Sequence, residues 1–364
     1  MRGATPASEA LALLLTPLLL CACTGADIGT RAIACEPLPI DGSKQFLLRP
    51  LADGSSEVIV ASNAPHADAP DSGALLAFRL SSAGAGPAEI LTLATAGGAA
   101  WRPPGGFHPI AIAAAREGGR DLLFVVNDAN PYSIERFRRD AETLVHERSY
   151  RSPLLSAPTH LVALSAEELY VSNAAAHGGW RRYLEWGLAL DTGNVLHLHA
   201  APQPVWRVAV RGLRFPSGIA YAAERDEMFV AEFARRRIRV YARDAATGEL
   251  SERATASLRL PALPASLTWT PPYSLYIAAH GSLPRSACYF AGWCGRVPSR
   301  LLVVDVPGEG NPNPPRIVEL AGADLAAIQA ASMLAPLRDG VLLSQARRAP
   351  LQHCRSAATA SGNG

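Results

Sequence analysis

The chain contains a single lysine, Lys44, and its positive charge is otherwise carried by arginine. It has no HExxH run, no G-x-S-x-G elbow and no CxxC pair. Zincin, serine-hydrolase and clustered-cysteine zinc chemistry therefore have no local signature. An excess of one charge is missing too: 34 Lys and Arg against 32 Asp and Glu leave a formal charge of +2. The one basic block, Arg235-Arg236-Arg237, falls in a turn between strands, where a solvated face explains it better than a phosphate site. Nucleic acid is not an expected partner.

What is present is a repeated strand pattern in 364 residues that are 49% hydrophobic, enough for one large core. Residues 215–244 show it most clearly: an apolar run Gly218 to Tyr221, a turn at Glu224 to Asp226, a second run Met228 to Ala231, and a third carried by Ile238, Val240 and Tyr241. Short strands joined by tight turns make an antiparallel meander. The middle run recurs as Glu57-Val-Ile-Val-Ala, Leu122-Leu-Phe-Val-Val, Glu168-Leu-Tyr-Val-Ser, Glu227-Met-Phe-Val-Ala, Ser274-Leu-Tyr-Ile-Ala and Gly340-Val-Leu-Leu-Ser. An inner apolar strand precedes each, and the spacing of about 45 to 65 residues suits propeller blades with irregular outer loops. The expected fold is all-β, a six-bladed β-propeller over residues 35–354.

Cys35 and Cys354 flank the first and last strands, so closing the ring would bring them together as an N-to-C-terminal disulfide. Cys288 and Cys294 can then pair locally within an insertion over residues 281–299. The N-terminus reads as a targeting segment, with Arg2 ahead of an apolar run from Leu11 to Leu20 that is too short to span a bilayer. Leu20-Cys21-Ala22-Cys23 resembles a bacterial lipobox in which Cys23, preceded by the small Ala22, would carry lipid. Residues 1–22 are then the signal peptide, 23–34 a tether, and 355–364 a disordered tail. By resemblance to Gram-negative lipoproteins, Thr24 rather than Asp after Cys23 implies the outer membrane, with the lipid as anchor. A plain signal peptide cleaved nearby is the alternative.

Loops at 64–72 and at Gly97 to Gly106, and the Pro-rich Pro307 to Pro315, read as surface connections. Within residues 174–190, Trp180, Tyr183, Leu184, Trp186 and Leu188 fall at near-helical spacing, which predicts a short amphipathic helix. It could serve as a lid, touch a membrane, or pack on the blade beneath.

The stretches FHPIAI ahead of DLLFVVN, ELYVSN leading into WRRYLEWGLAL, then VAEFARRRIRVY and QAASMLAPLRDGVLLS carry a resemblance to the paraoxonase/arylesterase family. That family sits within the gluconolactonase and strictosidine-synthase-like propellers. The resemblance implies hydrolysis of lactones and aryl esters at a hub calcium held by Glu, Asn and Asp, with a His dyad beside it. Position by position the ligands differ. Lys44 and Gln45 replace an acidic pair, Thr159 and His160 an Asn-Asp pair, Ser217 an Asn, and Ala265 and Ser266 an Asp-Asn pair. Ile110 stands for the first His, with His108 two residues away, and Asp128 for the second. Calcium needs six to eight oxygen ligands, several of them charged, so no family-type calcium site is expected.

Two readings follow. In the first, a non-catalytic relative, a pseudoenzyme with neither cofactor nor metal, binds a small polar ligand or an envelope protein at its mouth. The expected mouth residues are Lys44, Asn63, Asn127, Asn173, Glu232, Ser266, His280 and Ser332, with Gln345 beside them. Lys44 either fills the cation's place, neutralised by Asp128 or Glu232, or points to solvent. In the second, an altered hydrolase uses His108, His160 and Asp128 as acid-base groups and Ser217 as nucleophile. His197-Leu-His199 places two imidazoles on one strand face, an exposed face rather than a metal site.

Overall fold

The computed structural model describes residues 28–41, 43–63, 73–81, 90–96, 103–140, 142–308, 313–346 and 349–356. The signal segment, Cys23, residues 24–27 of the expected tether and residues 357–364 of the expected tail lie outside them, as do the 64–72 loop and residues 97–102.

The middle strands are apolar throughout because each serves two cores. In Ser56–Ser62, Val58 and Val60 pack with Leu342 and Leu351, whereas Ile59 and Ala61 pack with Leu123 and Val125. In Glu227–Glu232, Met228 and Val230 meet Tyr170 and Val195, and Phe229 and Ala231 meet Leu275 and Ile277. Side chains alternate across a strand, so a strand between two sheets has no face left for polar residues. Each fully buried Val, Leu, Ile or Phe contributes about 1.5 to 3 kcal/mol.

These strands build a β-propeller. Among the described residues there are two four-stranded sheets, two five-stranded sheets and one of eight strands. Each of the first four sheets runs outward as an antiparallel meander; the second, for example, pairs Pro109–Glu117 with Arg120–Asn127, then Ser133–Asp140, then Thr143–Tyr150. The eight-stranded sheet is joined by the first strand of the chain, β1 (Ile28–Asp41). Its residues 28–32 pair in parallel with Ile317 to Ala321, and its residues 33–41 pair antiparallel with the last strand, Pro350–Ser356. Residues 28–34 are therefore sheet rather than tether, and Arg355 and Ser356 are strand rather than tail. The correction has a physical basis: Ile33 is buried in the core with Leu320 and Val341, and a free tether would leave that core open.

Cys35 lies opposite Cys354 in this pairing, and the two form a disulfide; Cys288 and Cys294 form the second. The first strands of successive sheets pack side by side around the hub. Ser43–Pro50 meets Pro109–Glu117, and the succession runs through Pro158–Ala163, Pro216–Ala222, Leu263–Thr270 and Ala331–Leu337 back to Ser43–Pro50. The hub is tight: a Cβ on Gly218 would lie 2.8 Å from Ser266 Cα and 2.9 Å from the Leu267 nitrogen.

Among the described residues two α-helices interrupt the strands, α1 (Arg181–Gly187) and α2 (Leu283–Phe290). The expected helix is shorter than the 174–190 pattern. Gly178-Gly179 precedes it, with Gly179 at φ +60°, and Ala189 at φ +50° turns the chain away after it. α2 starts at Ser282, whose hydroxyl caps the Arg285 N–H, with Pro284 in its first turn.

Candidate functional site

Among the described residues, six first strands lose register once each near their start. The skipped residue is Lys44, Ile110, Thr159, Ser217, Ala265 and Ser332 in turn. A bulge leaves one residue unpaired and re-aims its side chain. All six bulged residues line one cavity of about 440 Å³ at the hub. Three of them also tie neighbouring sheets together. Thr159 Oγ1 donates to the Pro216 carbonyl at 3.0 Å, Ser217 Oγ to that of Pro264 at 2.6 Å, and Ser332 Oγ to that of Lys44 at 2.8 Å. Ser344 donates to the same Lys44 carbonyl at 2.8 Å, so the lysine backbone is fixed from two sides.

One side of the cavity is charged. Lys44 extends from its bulge, Asp128 follows the second strand of its sheet, and Arg182 reaches in from α1. Arg182 and Asp128 are loosely paired at 3.9 Å, and Lys44 makes no ion pair among the described residues. Burial lowers the lysine pKa below its ordinary value; Asp128 opposes this and Arg182 adds to it. Arg182 also donates to the hydroxyls of Tyr132 and Tyr183, and its guanidinium lies over the Tyr183 and Trp186 rings at 5.1 and 5.6 Å. Gln45 Oε1, beside it, is buried without a hydrogen-bond partner.

A row of rings also lines the cavity, beginning beside Arg182. Tyr183 meets Trp186 edge-on at 5.3 Å, Trp186 stacks on Phe215 at 4.5 Å, Phe215 contacts Phe233 at 4.9 Å, and Phe233 contacts His280 at 5.2 Å. His280 then faces Phe290 at 5.9 Å. The helix is pinned beneath its exposed face by Glu185, whose carboxylate accepts from the Ala176 N–H at 2.8 Å and bonds the Thr192 hydroxyl. Trp186 Nε1 donates to the Ala174 carbonyl at 3.3 Å. His280 is buried, with its ring between Ser286 and the Ala331 carbonyl, and burial pushes its pKa down to about 4, so it is neutral near pH 7.

Of the expected mouth residues, Lys44, Asn63, His280 and Ser332 line the cavity; Asn127, Asn173, Glu232 and Ser266 do not. Three of these four do a different job at the end of a second strand. Asn127 accepts from the His108 N–H at 2.7 Å, Asn173 from that of Ala157 at 3.4 Å, and Glu232 from that of Arg214 at 3.0 Å. Gln345 accepts likewise from the Gln329 N–H at 2.8 Å. Each side chain staples the loop that enters its own sheet, because a buried backbone N–H next to a bulge has no ladder partner. Glu232 is held by Arg237 and Arg235, so it cannot neutralise Lys44. Ser266, just after the Ala265 bulge, is fully buried.

The four hydrolase candidates are dispersed. Ser217 and Asp128 line the cavity, whereas His108 and His160 do not. The Ser217 hydroxyl is committed to Pro264, and His160 is buried with its pKa lowered to about 4. His197 is not on an exposed face: it is buried, stacked on Tyr170 at 4.6 Å and bonded to Arg207 and Glu168, while His199 is exposed. Arg235 and Arg237 are ion-paired to Asp191 and Glu232.

The sequence pattern gave no warning of the aromatic row. Phe215 lies in a loop, Phe233 opens a single 3-10 turn and Phe290 ends α2, pieces too short for periodicity to mark an inward side chain. The one usable signal is position: Phe215 precedes a bulged strand and Phe233 directly follows the Glu232 staple.

The donors do not fit calcium. Asp128 is the one carboxylate among the described residues lining the cavity, and two cations share the space with it. No group of three or more His, Cys, Asp or Glu side chains able to hold a metal occurs among the described residues. The remaining oxygens are neutral and few, short of what the ion requires.

A family model described as Arylesterase matches residues 90–346, and the chain belongs to that family. No curated protein matches it. Among solved structures, regucalcin from Agrobacterium tumefaciens, described as a calcium-binding protein, is similar at TM-score 0.51 and 12% identity over 90% of this chain and 95% of that one. The gluconolactonase XC5397 from Xanthomonas campestris is similar at TM-score 0.50 and 12% identity, over 91% of this chain and 88% of its own. At these identities the likeness concerns the propeller fold alone.

Proposed function

We propose that the chain is a six-bladed member of the arylesterase family whose hub cavity binds a small organic ligand and does not run calcium-dependent hydrolysis. The six-blade count takes the eight-stranded sheet as two blades sharing β1, and the closed succession of six first strands supports it. The observation that carries the functional reading is the set of six bulged residues around the cavity. None of them is acidic, and one is the only lysine. The ligand meets a polar, charged side at Lys44, Asp128 and Arg182 and an apolar side at the rings.

Two measurements test this. Calcium titrated calorimetrically into the purified protein should give no binding heat in the micromolar range. Phenyl acetate and a panel of lactones should show no turnover that EDTA abolishes. Tight calcium binding together with chelator-sensitive hydrolysis would overturn the reading. We further propose export, with lipid on Cys23 and the outer membrane as destination. The apolar run Leu11 to Leu20, the small Ala22 and two disulfides that need an oxidising compartment support it. Contact with an envelope protein through the same rim is the other partner reading, favoured by the exposed Trp180, Leu184 and Leu188 around α1.

A further inference from the structure

We infer that the hub cavity selects a monoanion carried on a flat apolar body, an arene or ring carboxylate being the simplest such molecule, and that Lys44 supplies the selection. The inference rests on the proposed reading of the cavity as a ligand site and specifies what that site takes. The charges come first. Lys44 and Arg182 face a single acid, Asp128, so with Lys44 protonated the lining carries one net positive charge, His280 being neutral.

Neither cation makes a close ion pair among the described residues. Lys44 has no ion pair among the described residues, and Arg182 approaches Asp128 only to 3.9 Å. Arg182 Nε is buried without an acceptor. An anion entering here would gain two charge-assisted donors at the expense of only the long Arg182–Asp128 pair. The rest of the molecule is specified by the rings that line the same cavity, starting beside Arg182. Trp186 and Phe215 lie nearly parallel, 4° apart, and the row continues through Phe233 and His280. Such a surface takes a flat ring by stacking or edge contact. Polar contacts and rings together, within about 440 Å³, leave room for one small amphiphile.

The test uses the full chain and three probes with the same rings: 1-naphthoate, neutral 1-naphthamide and cationic 1-naphthylmethylammonium, titrated calorimetrically at low salt. Naphthoate should bind at least tenfold more tightly than naphthamide, and the ammonium most weakly. Lys44→Met should lower naphthoate affinity by about tenfold and leave naphthamide unchanged. Arg182→Met, in a surface helix, tests the charge again should the first variant not fold. Ala265→Phe, which fills the cavity from one bulge, should abolish binding of all three.

Equal affinity for naphthoate and naphthamide, preference for the ammonium, or an anion preference that survives Lys44→Met and Arg182→Met would each overturn the inference. If Ala265→Phe still abolished binding in those cases, the cavity would stand as a ligand site and only the charge selection would fall. No binding of any probe at millimolar concentration would overturn both readings together.

Discussion

Replacing Asn127 by alanine separates a stapling residue from a ligand-binding one. The Asn127 side chain is fully buried; its Oδ1 accepts from the His108 N–H at 2.7 Å and its Nδ2 donates to the Gly106 carbonyl at 3.1 Å. Alanine removes both partners and leaves a backbone donor and a backbone acceptor without replacements beside the Ile110 bulge. Each orphaned group costs about 1 to 3 kcal/mol, so the expected loss for the two is roughly 2 to 6 kcal/mol. With a urea slope of about 3 kcal/mol/M, the unfolding midpoint should fall by about 0.7 to 2 M. Asn173→Ala should behave alike, since Asn173 holds the Leu154 carbonyl at 2.8 Å and Asn194 at 3.1 Å as well as the Ala157 N–H. A loss under about 1 kcal/mol in both variants would show that the entering loops do not depend on these side chains, and the stapling account would fail.

Three other outcomes are expected. Gly218→Ala drives a methyl into the Ser266 and Leu267 backbone and should cost about 1 to 3 kcal/mol, read as a lowered Tm, because two first strands rather than a flexible side chain must give way. Replacing both Cys35 and Cys354 by serine opens a loop spanning a sequence separation of 319 and should cost about 4 to 6 kcal/mol in chemical unfolding. His160 and His280 are held neutral in the folded protein, with pKa near 4, whereas the unfolded chain protonates them near 6.5. The unfolded state therefore binds more protons between those values, and stability should fall as pH drops from 7 to 5, by about 2 kcal/mol per histidine. The same titration on His280→Gln should lose one histidine's share of that slope.

The strands were legible because a strand wedged between two cores writes an unbroken apolar run, as in Met228 to Ala231. The bulges were not. Displacing one residue at a strand's start changes no residue type, and Lys44 looks the same in sequence whether it faces solvent or the hub. The stapling role of Asn127, Asn173 and Glu232 was hidden for a related reason: a polar residue ending a strand can turn toward the mouth or back to its own loop, and only the unmet N–H of that loop decides. The family resemblance did locate the hub. Of the positions singled out as substituted, Lys44, Gln45, Ile110, Asp128, Thr159, Ser217 and Ala265 meet in one cavity, whereas His160 and Ser266 are buried outside its lining. Cys23 and the segment before Ile28 lie outside the described residues, so export remains a proposal.

The strand that joins both halves of the largest sheet is made early in synthesis, yet its partners, Ile317 to Ala321 and Pro350–Ser356, emerge last. Throughout translation Ile28–Asp41 must wait with its backbone donors and acceptors open, and a waiting edge accepts any strand that fits. The ring therefore cannot be sealed in stages, and the misassembly expected on refolding at high concentration is the exchange of this segment between two copies, each locking the other's ring.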